Sequence, residues 1–144
     1  MDPRPTRRSH IGATPRLRVE ALADTLVETH GHDPRGPYAR RYWLPIVGPS
    51  SLVTAAALVS GLERSPGGFE VELSLLGRSL GLPGAAGANA KIARTLDRLV
   101  SFGLASLHAN AAIPLLRVRT AWPPLTARQL ARLPEFLAEV HPAA

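Results

Sequence analysis

The stretch that decides the fold is residues 69–119, with the sequence FEVELSLLGRSLGLPGAAGANAKIARTLDRLVSFGLASLHANAAIPLLRVR. Strand-like and helix-like pieces follow one another there, separated by Gly and Pro. In chain order we predict a strand over 69–72, a helix over 73–82, a Gly/Pro/Ala turn, a second helix over 88–102, and strands over 104–108 and 115–120. This order predicts a mainly α domain of the α+β class with a small antiparallel sheet.

The second predicted helix, 88–102, is amphipathic. At about 100° per residue, one face carries Ile92, Leu96, Leu99 and Val100. We predict that the opposite face carries Lys91, Arg94, Thr95, Asp97, Arg98 and Ser101. Spacings of three and four residues join the three cations among them into one stripe. One face of such a helix holds it against its domain, and the other face is free to enter a groove of a duplex.

Positive charge is concentrated in the same stretch. Between residues 73 and 119 there are six basic side chains and a single acidic one, Asp97. They supply +5 of the chain's formal net charge of +6. The basic residues are Arg78, Lys91, Arg94, Arg98, Arg117 and Arg119. A compact positive unit that contains a groove-sized helix predicts double-stranded DNA as the partner.

Position along the predicted elements divides the candidate DNA-binding residues between two roles. The N-terminal half of a recognition helix reaches base edges, where Arg favours guanine and Asn favours adenine. The candidates for sequence readout are Asn89, Lys91, Arg94 and Thr95. The candidates for phosphate contacts are Arg78, Arg98, Arg117 and Arg119. The last two alternate with apolar residues along the final strand, which predicts that both face solvent.

Three short motifs occur in order along the stretch: LGRSLGL at 76–82, RTLDRL at 94–99 and FGL at 102–104. Together they resemble the winged helix-turn-helix superfamily, whose bacterial transcriptional regulators typically show LGL, TL-x-RL and GL in this order. The resemblance covers residues 49–120, and the turn 83–88 is longer than a minimal one. It implies a winged helix fold that binds DNA, usually as a homodimer on a palindromic site.

The residues before this domain, which we place at 48–120, are predicted to be two segments. Residues 1–16 hold four arginines and three prolines without an apolar cluster, which predicts a flexible basic arm. The arm is either a solubilising tail or a minor-groove contact. Residues 17–47 form an N-terminal extension, with an amphipathic helix over 17–30 and with Tyr38, Tyr42 and Trp43 packed onto the core. The domain itself opens on a buried central helix that starts at 48–50.

Residues 121–144 are predicted to be a C-terminal helical extension. Thr126 and Gln129 match a capping box, and Pro134 is expected to kink or split the helix. The side chains predicted to be buried are Leu130, Leu133, Phe136, Leu137 and Val140. The apolar stripe of Leu130, Leu133, Leu137 and Val140 suits two roles for residues 126–140, a cap on the core or a homodimer contact.

Composition and motifs exclude several classes of function. The chain has no cysteine, which excludes disulfides and zinc–thiolate sites and favours a cytoplasmic, nucleoid-associated protein. The uncharged residues 42–62 are interrupted by Pro and Gly, and their helical part is shorter than the ~20 residues of a membrane span. The first residues lack the apolar core of a signal peptide. His30, His32 and Asp33 lack the spacing of a metal site. We therefore expect no metal, no cofactor and no enzymatic activity.

Three functions remain open for the basic helix face. A transcriptional regulator that reads the major groove is favoured, because the charge lies on the expected face. A winged helix can instead serve as a protein-interaction adaptor, since a fold does not determine a function. A nucleoid-type DNA binder with little sequence preference would carry the same arginine stripe.

Overall fold

The computed structural model describes residues 16–83, 90–109 and 111–142. Its strands are β1 (Arg16–Leu22), β2 (Phe69–Glu72), β3 (Ala105–His108) and β4 (Leu115–Arg119). Its α-helices are α1 (Thr25–His30), α2 (Leu44–Val47), α3 (Pro49–Arg64), α4 (Leu73–Ser79), α5 (Lys91–Ser101), α6 (Ala127–Leu130) and α7 (Glu135–Val140). A π-helical turn, Ala39–Trp43, leads into α2. The architecture mixes α and β elements, which agrees with the predicted α+β class.

One sheet holds these strands in the order β2-β1-β4-β3. β1 pairs antiparallel with β2 and parallel with β4, so that Val19 lies opposite Phe69 on one side and Leu116 on the other. β3 and β4 pair antiparallel, which confirms the antiparallel arrangement predicted for these two strands. The predicted sheet was smaller and purely antiparallel, because it lacked the strand that lies between β2 and β4.

β1 shows that the helix predicted over 17–30 is wrong in its first half. Leu17 and Val19 are fully buried and alternate with the more exposed Arg16 and Arg18, which is the period of a strand. The second half is helical, as α1, and its N-cap is Asp24, whose carboxylate accepts a hydrogen bond from the Val27 amide at 3.3 Å. The helix prediction failed because the same apolar residues also fit a helical spacing.

α3 is the central buried helix that the sequence predicts. It packs against β1, β4 and α5, and Leu58 is 1% exposed at its centre. Thr54 on the same helix is completely buried. Its hydroxyl has no hydrogen-bond partner in the part of the chain that the structure describes. Because a buried hydroxyl without a partner costs free energy, Thr54 is a weak point of the core.

Replacing Thr54 by valine should stabilise the protein. Valine keeps the branched shape and removes the unpaired hydroxyl, so we expect the free energy of unfolding to rise by about 1 kcal/mol. Thr95→Val is the matched control, because Thr95 is also buried but its hydroxyl donates to the Lys91 carbonyl at 2.8 Å. Urea unfolding of both variants measures the difference. A loss of stability in Thr54→Val would show that its hydroxyl is bonded.

Both helices of the predicted pair end in a glycine with a positive φ. Gly81 follows α4 with φ +71°, and Gly103 follows α5 with φ +74°. The amide of the leucine after each glycine bonds to the carbonyl five residues earlier, at 2.9 Å for Leu82 and 3.0 Å for Leu104. This is the Schellman arrangement, which satisfies the last carbonyls of a helix. Gly81 and Gly103 therefore terminate the two helices.

The segment after β4 packs against the residues that precede α2. Trp43 and Trp122 are 2% and 1% exposed and meet edge to face, with ring centroids 5.4 Å apart. The Trp43 indole N–H donates to the Pro123 carbonyl at 2.9 Å. The Leu125 amide donates to the Tyr38 hydroxyl at 2.9 Å. The predicted packing of these aromatic side chains onto the core is therefore confirmed.

The C-terminal segment is split into α6 and α7 at Pro134, as the sequence predicts. The capping box is also confirmed, since the Gln129 amide donates to the Thr126 hydroxyl at 3.2 Å. The prediction that Phe136 and Val140 are buried is wrong, because they are 68% and 52% exposed. The break changes the direction of the chain, so that one continuous apolar stripe does not form. Across the described ranges, no helix is both long and apolar enough to cross a membrane.

Candidate nucleic-acid interface

α5 is fixed against the domain by one face. Its side chains that are at most 5% exposed on this face include Ile92, Ala93, Leu96 and Leu99. α4 approaches closely at Gly77, where an added Cβ would lie 3.3 Å from the Ile92 Cβ. Because α5 packs against α3, α4 and β3, its opposite face has a fixed orientation.

The other face carries the cationic stripe that the sequence predicts: Lys91 is half-buried, and Arg94 and Arg98 are exposed. Within the described ranges none of the three has an acidic side chain at ion-pair distance. Arg98 is oriented by its own contacts, since its guanidinium donates to the Ile46 carbonyl at 3.4 Å and lies 5.7 Å from the centre of the Phe102 ring. Among the described residues, the positive charge of the stripe is therefore not compensated by an ion pair.

Thr95 does not lie on this exposed face, so the prediction that placed it there is wrong. It is 4% exposed, and its hydroxyl donates to the carbonyl of Lys91, one turn earlier. The position is three residues after Ile92 and four before Leu99, which puts it at the edge of the buried arc. A small hydroxyl that bonds its own helix backbone is tolerated there.

Arg119 is not the free, solvent-facing cation that the sequence predicts. Its guanidinium forms an ion pair with Asp24 at 3.0 Å and donates to the Gly103 carbonyl at 2.9 Å. The hydrogen bond from Arg119 holds the pKa of the Asp24 carboxyl below its ordinary value. The parallel pairing of β1 with β4 places Leu22 opposite Arg119, and Asp24 follows just beyond. Arg119 thus ties the sheet to the start of α1.

The other candidate residues occupy separate elements. Arg78 is exposed in the last turn of α4, and Arg117 is exposed on β4 opposite Ser106. The neighbours of Arg117 on the strand, Leu116 and Val118, are buried, which confirms the alternation predicted there. Asn89 and the first fifteen residues of the basic arm lie outside the described residues.

The cationic stripe borders a cleft of about 440 Å³. One wall is the chain from Val47 through Ser51, where α3 begins, and the other wall carries Lys91, Arg94, Thr95 and Arg98 of α5. The sequence does identify 48–50 as a helix start, but it does not place that start beside α5. Gly48 to Ser51 are therefore the site residues that sequence reasoning missed. No local pattern could reveal them, because the contact joins segments about forty residues apart.

His32, one of the two histidines that could suggest a metal site, has a structural role. His32 stacks on Tyr38 with ring centroids 3.7 Å apart, and its backbone bridges to Trp122. Burial and the nearby His141 lower the pKa of His32. In the part of the chain that the structure describes, no group of three or more acidic or histidine side chains is placed to hold a metal ion.

Comparison with known proteins identifies no family for the chain. No family model matches it, and no curated protein matches it. Among solved structures it is similar to the crystal structure of residues 1–300 of the primosome protein DnaB from Geobacillus stearothermophilus, with a TM-score of 0.49 and 21% sequence identity. The match covers 88% of this chain and 46% of that one, so the chain spans about half the length of the matched protein. A similarity this distant establishes neither family nor function.

Proposed function

We propose that this chain is a winged helix protein that binds double-stranded DNA through the exposed face of α5. The observation that carries the proposal is the stripe of Lys91, Arg94 and Arg98. It has no acidic partner among the described residues, and it lies on a helix whose other face is fixed in the core. A rigid, amphipathic, positively charged helix next to an antiparallel hairpin has the form of a major-groove reader. The proposal is for a binding function without a catalytic step.

The positions of the side chains assign their roles. Arg94 and Lys91 lie in the first half of α5, from which a recognition helix reaches base edges. Arg98 is one turn further on and is held toward α2, which suits a phosphate contact. Arg78 and Arg117 are exposed on the neighbouring α4 and β4 and are proposed as further phosphate contacts. Thr95 and Arg119 are omitted from the proposed interface because both are engaged internally.

We propose transcription regulation as the role of this binding, which places its site of action on chromosomal DNA. A second, protein-directed contact is supported by Phe136 and Val140, which lie four residues apart on α7 and are both exposed. Residues in this relation share one face of a helix. We propose that this face contributes to a homodimer, since a dimer presents two recognition helices to a two-fold symmetric site.

Replacing Arg94 and Arg98 together by alanine should weaken DNA binding by about 10- to 100-fold at moderate salt. Each phosphate contact contributes about 0.9 to the slope of log K against log salt, so the slope should become shallower by about 1 if Arg98 alone contacts the backbone, as proposed. A change of roughly 2 would move Arg94 from base edges to a phosphate. The measurement is fluorescence anisotropy with a random-sequence duplex across a salt series.

The matched control is Arg128→Ala with Arg132→Ala, which removes the same charge at the same spacing from an exposed C-terminal site. We expect this control to bind within about twofold of wild type, because it lies away from the interface. Equal losses in both variants would attribute binding to net charge alone. If wild type does not bind DNA, the adaptor function takes its place.

A competition series then separates the two DNA-binding roles. A regulator keeps tight binding to one selected site against competitor DNA, whereas a nucleoid-type binder is displaced equally by every sequence. The number of protomers bound to each duplex in the same titration decides whether the proposed homodimer forms on DNA.

A further inference from the structure

The cleft between α3 and α5 is lined on its α3 side by backbone donors without helical acceptors. α3 starts at Pro49, its N-cap is Gly48 with φ +86°, and no side chain caps it. The first bond of this turn runs from the Leu52 amide to the Gly48 carbonyl at 3.2 Å. The N–H groups of Ser50 and Ser51 precede it and have no acceptor within the helix. The positive end of a 16-residue helix therefore faces the cleft.

Ser51 provides an independent indication of a ligand. The residue is 2% exposed and lines the cleft. Its hydroxyl has no hydrogen-bond partner in residues 16–83, 90–109 or 111–142, and its oxygen is not fully buried as that of Thr54 is, so the small remaining exposure of Ser51 includes the hydroxyl at the cleft wall. In folded proteins such polar groups are bonded to protein or to ordered water, and a ligand oxygen can take that place. A hydroxyl donor beside two free amides is suited to the oxygens of a bound anion.

The opposite wall of the cleft supplies positive charge. Lys91, Arg94 and Arg98 all line it, and none has an acidic partner at ion-pair distance within the described residues. The hydrogen bond from Arg98 to the Ile46 carbonyl fixes one side of the opening. A helix N-terminus, the Ser51 hydroxyl at the cleft wall and three cations thus converge from two elements on one space of about 440 Å³.

We propose that this cleft is a phosphate-binding site that holds one phosphate group. The amides of Ser50 and Ser51 and the Ser51 hydroxyl donate to its oxygens, as helix N-termini do for phosphates elsewhere. Arg98, already assigned a phosphate contact, pairs with it, and Lys91 and Arg94 on the same wall add positive potential. The phosphate is taken to belong to the backbone of a bound duplex, so this proposal rests on the proposed function. A single phosphate held between α3 and α5 would fix the register of α5 along the groove.

The test titrates inorganic phosphate into the full chain at constant ionic strength, with chloride as the compensating ion, and follows backbone amide resonances by NMR. We expect saturable shifts at Ser50 and Ser51. Ser51→Asp should weaken the binding of phosphate by at least about tenfold, because the aspartate places a negative charge inside the site. An acidic side chain in the first turn also favours a helix, so this variant should fold. Ser51→Ala, which removes only the hydroxyl, is the second variant and should bind phosphate more weakly than wild type.

The matched control is Ser65→Asp, which adds the same charge at the other end of α3, roughly 21 Å from Ser51. It should leave the phosphate shifts unchanged. Amides that do not respond, or that respond equally to chloride, would overturn the site. Titration of the same variants with duplex DNA shows whether the bound phosphate group comes from a DNA backbone. DNA binding that weakens in Ser51→Asp but not in Ser65→Asp supports a backbone phosphate.

Two results separate the site from the function on which it rests. DNA binding that is equally strong in both aspartate variants would overturn the site and leave the proposed function standing. Saturable phosphate binding in a protein that does not bind DNA would support the site with free phosphate as its source, and would remove the proposed function.

Discussion

A fragment spanning residues 48–120 will show no cooperative unfolding transition, although the sequence marks it as the DNA-binding domain. The fragment lacks β1, which lies between β2 and β4 and pairs with both. Without it, β2 has no neighbour, and β3 with β4 is an isolated hairpin. Such a hairpin is at best marginally stable in water. The strand that completes the sheet therefore comes from outside the predicted domain.

The fragment is also destabilised by the loss of core side chains that lie before α3. From the residues before α3 alone, the fragment lacks six large side chains that are at most 7% exposed: Leu17, Val19, Tyr42, Trp43, Ile46 and Val47. Burying each contributes about 1.5–3 kcal/mol, or roughly 9–18 kcal/mol together. The net stability of a whole domain is about 5–15 kcal/mol. Removing these contacts is therefore expected to abolish folding.

Thermal unfolding followed by far-ultraviolet circular dichroism tests this prediction. The control fragment spans residues 16–142, which includes every described helix and strand, and we expect it to unfold in a single transition. A transition in 48–120 within about 10 °C of the control would show that the residues before α3 are an appendage, since the core loss alone should shift it much further.

The parts of the fold that the sequence predicts are those determined by local contacts. The boundaries of α4 and α5 follow from glycines that must adopt a positive φ and from leucines that return to the core after them. The capping box at Thr126 and the break at Pro134 are also contacts within a few residues. Patterns at this range are decided by backbone geometry, which the sequence encodes directly.

The parts that the sequence does not predict depend on distant partners. β1 has a pattern that suits a short strand or one face of a helix, and its partners lie about fifty and one hundred residues away. Arg119 alternates correctly along β4, but Asp24, which neutralises it, is reached only through the parallel pairing with β1. Pairing between distant strands leaves no periodic mark on either of them alone.

The candidate site also has parts that local contacts determine and parts that depend on distant partners. The stripe of Lys91, Arg94 and Arg98 was predicted correctly, because a single helix determines the face that they share. Thr95 was misplaced because a polar residue at the edge of an amphipathic arc was assigned by its chemistry, not by its angle. The cleft with Ser51 could not be predicted, because it exists only where two helices meet.

Replacing Trp122 by alanine should lower the free energy of unfolding by about 3–5 kcal/mol, the usual cost of removing a buried large aromatic side chain. Trp122 is 1% exposed and packs edge to face on Trp43. Its amide donates to the His32 carbonyl at 2.7 Å, and its carbonyl accepts from the His32 amide at 2.8 Å. The side chain therefore packs where the C-terminal segment is joined to the lead-in to α2. Urea unfolding followed by tryptophan emission measures the loss.

Phe136→Ala is the matched control, because it also truncates an aromatic side chain of the C-terminal segment but at a site that is 68% exposed. We expect it to change stability by less than about 0.5 kcal/mol. The chain has two tryptophans, so Trp43 alone reports on unfolding in the variant that lacks Trp122. A loss below about 1 kcal/mol in that variant would mean that the C-terminal segment unfolds separately from the core. A large loss would show that this segment stabilises the lead-in to α2, and through α2 the Ile46 carbonyl to which Arg98 donates.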